Sequence, residues 1–285
     1  MVKNTFSSEA LFLDSESPVE MVRAIEMERL LSRLMGGPLP GITDPTALHR
    51  VLDFACGAGS WALDVAFKYP EIEVAGIDAS STVVRYANAG VRAQRLINVS
   101  FGVMDCFAPL DFSDNTFDLI NGRFLLTFIP VDALPAVLAE LRRILRPGGT
   151  LQFTESEIVH TNSQVCQKHN TLVAQALRNA GYGFFGTDEY TSTASGMERL
   201  FREAGFAQIV STPYVLDYSI GTAAWMSIYR NFEIFGQSMQ PLLTSTGVAS
   251  QQEAQELYQQ VLIAMMAEDF RGTWPFTHVQ GIKPA

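Results

Sequence analysis

The sequence predicts an α/β fold, with one core sheet interrupted by helical insertions. Three observations carry that expectation. Residues 51–78 read as strand, glycine turn, helix and strand: Val51-Leu52-Asp53-Phe54-Ala55-Cys56-Gly57-Ala58-Gly59, then Ser60 to Tyr69, then Glu73-Val74-Ala75-Gly76-Ile77-Asp78. Short β-rich runs then continue to alternate with helical periodicity to about residue 155. Finally, 285 residues that are 47% hydrophobic suit one packed core with insertions better than two independent domains.

Residues 1–47 precede that core as a helical cap. From Pro18 to Met35, Val22, Ile25, Met27, Leu30, Leu31 and Leu34 recur at helical spacing, and Gly36-Gly37-Pro38 stops the helix. This helix either packs on the core or forms a flap over a ligand site. In the first strand and turn, Gly57-x-Gly59 lets backbone approach a ligand at a helix N-terminus, and Asp78, about 20 residues on, offers an acceptor to ribose hydroxyls. A nucleoside-containing cofactor is implied. Gly57-x-Gly59-x-x-Ala62 followed by Asp78 also satisfies the fingerprint of an NAD-dependent oxidoreductase. Asp53 argues for a different guest: its carboxylate would repel a pyrophosphate and attract the ammonium and sulfonium of S-adenosylmethionine.

Ser80 is placed to cap a helix from Ser81 to about Arg95. Val99 to Asp105 reads as a third strand ending in an acid able to accept from an adenine amine. Asp114-Asn115 marks a turn, and Phe117 to Gly122 is strand four. Its mouth, Asn121-Gly122-Arg123-Phe124, should face the substrate, since open parallel sheets bind ligands at strand C-termini. Arg123 either holds a substrate anion or pairs with a core carboxylate. The helix Asp132–Arg146 has Leu134, Val137, Leu138, Leu141, Ile144 and Leu145 on one face, with Arg142, Arg143 and Arg146 as solvated charges in its last turn. Pro147-Gly148-Gly149 should end it, leaving Thr150 to Glu155 as strand five.

Asp53-x-x-Cys-Gly-x-Gly, Asp78, Met104-Asp105, Phe117-Asp118-Leu119-Ile120 and Leu145-Arg146-Pro147-Gly148-Gly149, in this order and spacing, resemble the class I S-adenosylmethionine-dependent methyltransferases. The resemblance is strongest to the branch related to ubiquinone and menaquinone biosynthesis methyltransferases, and covers roughly residues 48–155. It implies a Rossmann-like seven-stranded sheet, mostly parallel with one antiparallel strand, between helical layers. It also implies that Asp53 and Gly57, in a turn shared with Ala55 and Gly59, contact the methionine part. Asp78 would meet the ribose and Asp105 the adenine amine, with Ala79 also among the cofactor-binding residues. Met104 and Cys106 would flank the ring, and Asn121 would lie near the sulfonium. Ala55 stands where the family usually has glycine. S-adenosylhomocysteine would be the product.

Substrate choice should lie in residues 156–285. Glu157 to Gly186 has a helical pattern with an aromatic run at 181–186. Ser195-Gly196-Met197-Glu198 reads as a capping box, Ala207 to Tyr218 as strand six, residues 222–270 as a helical insertion and Trp274 to Gly281 as strand seven. Insertions at about 157–192 and 220–272 would act as substrate lids on a methyltransferase domain spanning 48–285. Tyr182, Phe185, Trp225 and Tyr229 are candidate lining residues. Methyl transfer needs collinear approach, so positioning supplies most of the effect and a base is optional. Glu155, Glu157, His160 and His169 are the candidate bases by position.

Metal-ligand spacings are missing, so no metal is expected. The net charge of −10, from 20 basic and 30 acidic residues, opposes a nucleic-acid partner. Cys56, Cys106 and Cys166 form no C-x-x-C pair, which fits a reducing cytoplasm, and no apolar run of 18 residues suggests a membrane span. The expectation is a cytoplasmic enzyme, monomer or homodimer, methylating O, N or C of an apolar or aromatic small molecule. An NAD-dependent oxidoreductase and a non-catalytic cofactor-binding protein are the alternatives.

Overall fold

The computed structural model describes residues 14–183 and 192–285. Its strands are β1 (Arg50–Phe54), β2 (Glu73–Asp78), β3 (Val99–Val103), β4 (Phe117–Arg123), β5 (Leu145–Ser156), β6 (His160–Thr161), β7 (Ala207–Asp217) and β8 (Gly272–Ile282). They form one sheet in the order β3-β2-β1-β4-β5-β8, with both β7 and β6 hydrogen-bonded to β8. The first five pair in parallel, whereas β8 runs antiparallel to β5, β6 and β7. Strand order therefore reverses between β1 and β4, the place where open α/β sheets open a crevice for a ligand.

The helices are α1 (Pro18–Leu34), α2 (Ser60–Lys68), α3 (Ser81–Gln94), α4 (Leu134–Ile144), α5 (Gln164–Asn179), α6 (Thr193–Glu203), α7 (Trp225–Ser245) and α8 (Gln251–Met265). One sheet face, with Leu52, Phe54, Ile120, Leu151 and Phe153, packs on α4 and α6. The other, with Val51, Val74 and Leu119, packs on α2 and α3 through Trp61, Val65 and Ala87. Helices α1, α7 and α8 share a third core with the ends of β7 and β8, and α5 joins α7 and α8 in a fourth. Burial of this kind is worth about 25 cal/mol per Å² of apolar surface, which is why alternation along each strand fixes the face assignments.

Several boundaries differ from the sequence reading, each for a local reason. Among the described residues the sheet has eight strands, because the line of strand five breaks at 157–159 and resumes as β6, opposite Thr273 and Gly272 of β8. The helix expected over Asp132–Arg146 opens with a 3-10 turn at Val131–Ala133 and ends at Ile144. Pro147-Gly148-Gly149 lie inside β5, where an irregularity in register opposite Phe117 and Leu119 absorbs them. Arg143 and Arg146 are bonded side chains. Arg143 Nη1 reaches Asp114 at 2.7 Å, and Arg146 Nη1 reaches the buried Asp118 at 2.8 Å.

Three further differences concern caps and faces. Helix α6 is capped by Ser192, whose Oγ accepts from Ser195 N while Ser195 Oγ accepts from Ser192 N, so Ser195 is the reciprocal partner and not the cap. β3 stops at Val103, before Met104-Asp105. On α1, Val22 is exposed and Glu20 is buried, because Arg23 binds Glu20 and reaches Asn231 of α7 at 2.7 Å. Ser80 caps α3 as expected, accepting from Val83 N at 3.2 Å.

Candidate cofactor and acceptor site

The turn after β1 is built from left-handed residues: Ala55, Gly57 and Gly59 have φ of +54°, +52° and +78°. Gly59 also needs its missing side chain, since a Cβ there would meet Phe101 at 2.6 Å. A Cβ on Gly57 would meet nothing within 4 Å, so the backbone there is open to approach. Asp78, at the end of β2, ties the turn down. Its two oxygens accept from Gly57 N and Ser80 N, both at 3.0 Å. Burial raises the Asp78 carboxyl above its ordinary range, against the pull of these donors.

Ala79 follows directly in the chain, and Met104 N bonds Asp78 O at 3.0 Å, which brings the end of β3 beside the end of β2. Asp105 is exposed and accepts from Phe107 N at 2.9 Å, and Met104 and Cys106 are half-buried on either side of it. The sequence-derived cofactor residues from β1, β2 and β3 thus converge on one end of the sheet.

Across the strand reversal, four side chains stand in one register line: Asp53, Asn121, Gln152 and Gln280. They form a hydrogen-bond chain. Asn121 Nδ2 donates to Asp53 Oδ1 at 2.9 Å, and Gln152 Nε2 donates to Asn121 Oδ1 at 3.0 Å. Gln280 Nε2 then bridges Gln152 Oε1 at 3.3 Å and the Pro40 carbonyl at 3.0 Å. Burial pushes Asp53 up to about 7, Asn121 works against it, and nearby Glu28 raises it further while Arg123 lowers it. A carboxylate in this state gains most from a cation beside it.

Two residues further along each strand lies a second line, Arg123, Thr154 and His278. The Arg123 side chain is 3% exposed, and its Nη1 donates to Glu28 Oε2 at 2.9 Å and to Ser32 Oγ at 3.0 Å, both on α1. Its Nε and Nη2 have no hydrogen-bond partner among the described residues. His278 Nδ1 meets Thr154 Oγ1 at 2.9 Å. Burial, then the Arg123 charge, hold His278 down to about 3, with the Pro40 carbonyl pulling weakly the other way. Arg123 therefore takes a carboxylate partner from the N-terminal helix, an outcome that sequence reasoning framed only as a core carboxylate. Gln152, Thr154 and Gln280 were missed there, although polar residues at alternate positions in two apolar strands are the readable signal.

Two of the four candidate bases already accept hydrogen bonds from the chain. Glu155 is buried, accepts from Leu125 N at 2.6 Å and Leu126 N at 3.4 Å, and is pushed by burial up to about 8. Glu157 caps α6 through Thr193 N and Ala194 N and takes a third bond from Thr277. His160 is exposed on β6. His169 is buried in α5. Trp225 bonds Met265 O at 3.0 Å and lies 5.9 Å from the Tyr229 ring, within the core shared by α1, α7 and α8. Tyr182 is buried against α5 and α7, and Phe185 lies outside the described residues. Among the described residues, no group of three or more His, Cys, Asp or Glu is arranged to hold a metal ion, and no helix is long and apolar enough to cross a membrane.

A mostly parallel sheet whose strand order reverses between β1 and β4, with a buried carboxyl near the end of β1 and an open glycine turn following it, defines a nucleoside-binding α/β protein suited to a cationic guest. A family model described as a methyltransferase domain matches residues 51–149. The ubiquinone/menaquinone biosynthesis C-methyltransferase of Desulfotalea psychrophila is 30% identical over 182 residues, covering 61% of this chain and 71% of that protein. A demethylmenaquinone methyltransferase of Geobacillus kaustophilus is 29% identical over 198 residues, covering 64% and 79%. The chain belongs to the S-adenosylmethionine-dependent methyltransferase family. In fold it is similar to phosphoethanolamine N-methyltransferase 2 of Haemonchus contortus, solved with S-adenosylmethionine, at TM-score 0.53 and 18% identity over 95% of this chain and 57% of that one.

Proposed function

We propose that this chain methylates O, N or C of an apolar or aromatic small molecule, drawing the methyl group from S-adenosylmethionine held at the β1/β4 reversal. The observation that carries the reading is the buried Asp53 carboxyl near the end of β1, just ahead of the open Gly57 turn. A pyrophosphate would meet repulsion there, whereas an ammonium and a sulfonium are attracted. When bound, the cofactor supplies a methyl carbon that leaves with its bonding electrons remaining on sulfur.

The chain's own part is to bind and orient. Asp53 and Asn121 would hold the methionine end, Asp78 the ribose, and Asp105, with Met104 and Cys106, the adenine. The amides of Gln152 and Gln280 fix Asn121 in the orientation that donates to Asp53. Similarity to demethylmenaquinone methyltransferases supports an apolar ring as acceptor. Three unpaired cysteines are compatible with a reducing cytoplasm.

Isothermal titration with S-adenosylhomocysteine tests the cofactor assignment, and NADH is the control ligand. Asp78→Ala should weaken binding by about 1–3 kcal/mol, the scale of removing a buried charged acceptor. An unchanged dissociation constant would take Asp78 out of the ribose role.

A further inference from the structure

We propose that Arg123 is the floor of a buried oxyanion subsite, so that the methyl acceptor is a phenol or enol bound as its anion. This rests on the methyltransferase reading above and adds to it the acceptor's chemistry.

The two faces of the guanidinium fork differ. Nη1 is fully used by Glu28 and Ser32 of α1. Nε and Nη2 make up the other edge, the pair of parallel N–H donors that meets oxygen lone pairs side by side. Both are buried without a partner among the described residues. Leaving such donors unmatched is costly, which favours a ligand oxygen at this edge.

Position points to the acceptor and not to the cofactor. Arg123 lies two residues beyond Asn121 on β4, farther toward the strand mouth and on the same side of the sheet. A guanidinium would repel the cationic end of the cofactor, and it attracts an anion brought next to that end. The adjoining residue, Phe124, packs edge-on against Phe276 at 6.1 Å, and Phe276 stacks on Trp274 at 5.2 Å. An oxyanion whose charge is delocalised into a ring suits a single cation set beside aromatic side chains.

The subsite also accounts for the state of the candidate bases. Glu155 and Glu157 already accept backbone N–H groups. An acceptor whose acidity is raised by Arg123 loses its proton to solvent on binding, so no side chain has to remove it. Glu28 is then a resident counter-charge that the acceptor competes with for the guanidinium.

The test uses 4-nitrophenol, whose anion alone absorbs strongly in visible light, titrated with the protein with and without S-adenosylhomocysteine. Wild-type protein should lower the apparent pKa of the bound probe by about one unit, a tenfold preference for the anion. Arg123→Gln should abolish that shift, Arg123→Lys should keep part of it, and Glu28→Gln should deepen it several-fold. A purely structural Arg123–Glu28 pair predicts the reverse for Glu28→Gln, namely weaker binding.

An unshifted or unbound probe with wild-type protein overturns the proposal, and so does a shift that survives in Arg123→Gln. Binding of 4-nitrobenzoate through Arg123 without any effect on the phenol overturns it in favour of a carboxylate. Calorimetric binding of S-adenosylhomocysteine, measured on the same samples, reports the methyltransferase reading separately, since it does not depend on Arg123 meeting an acceptor.

Discussion

The two faces of the central sheet use the same strands for opposite purposes. On the α4/α6 side, Phe54, Phe153 and Val279 are closed by Leu125, Phe201 and Phe206 into continuous core. On the opposite side, apolar Val51 and Leu119 give way within two residues to Asp53 and Asn121, and then to Arg123. A period-two strand therefore keeps one side for stability and turns the other from packing to recognition only at its C-terminal end. The polar lines remain tolerable because almost every member is bonded to the next.

The largest test of this contrast is a pair of substitutions on neighbouring residues of β5. Phe153→Ala should cost about 3–5 kcal/mol in denaturant-induced unfolding, the range for emptying a buried aromatic site. Gln152→Leu should cost less stability, yet weaken S-adenosylhomocysteine binding in calorimetry by removing the donor that holds Asn121. Equal effects of the two changes on binding would erase the distinction between the faces.

pH sharpens the same comparison. Burial raises Asp53 to about 7 and Glu155 to about 8 in the fold, against ordinary values of 3.8 and 4.5. Stability from these groups is complete below the ordinary values and is lost as pH rises through the folded ones. His278, held down to about 3 from 6.5, and His169, also lowered by burial, act oppositely, but only below about 6.5. The cofactor-free protein should therefore gain melting temperature as pH falls from about 8 to 6.5 and then level off. Binding of S-adenosylmethionine should change the other way, weakening below pH 7 as Asp53 takes up its proton. Parallel trends for melting and binding would separate Asp53 from the cation.

The smallest expected effect is at Ala55, held at φ +54°. Ala55→Gly should raise stability by roughly 1 kcal/mol in thermal unfolding, since left-handed backbone penalises a Cβ.

The β1–turn–α2–β2 unit was legible because its signals are local: an apolar run, glycines at two left-handed positions and an acid at the next strand end. Ser80 was readable as a cap for the same reason. The polar lines were not, because Asn121 to Gln152 and Gln152 to Gln280 are pairings between distant segments that only sheet register brings together. Glu28 was hidden in a helix read for its apolar stripe, although that helix contributes the carboxylate at Arg123. Ser195 was mistaken for the cap of α6 because Ser192, three residues earlier, offers the same chemistry to the same turn.

Strand β8 follows every other strand in the chain, yet it is wedged between β5 and β7. Gln280 bonds Gln152 across 128 positions of sequence. On the ribosome, Asp53, Asn121 and Gln152 emerge well before the segment that completes their line. The line is therefore complete only once the last strand has paired with β5.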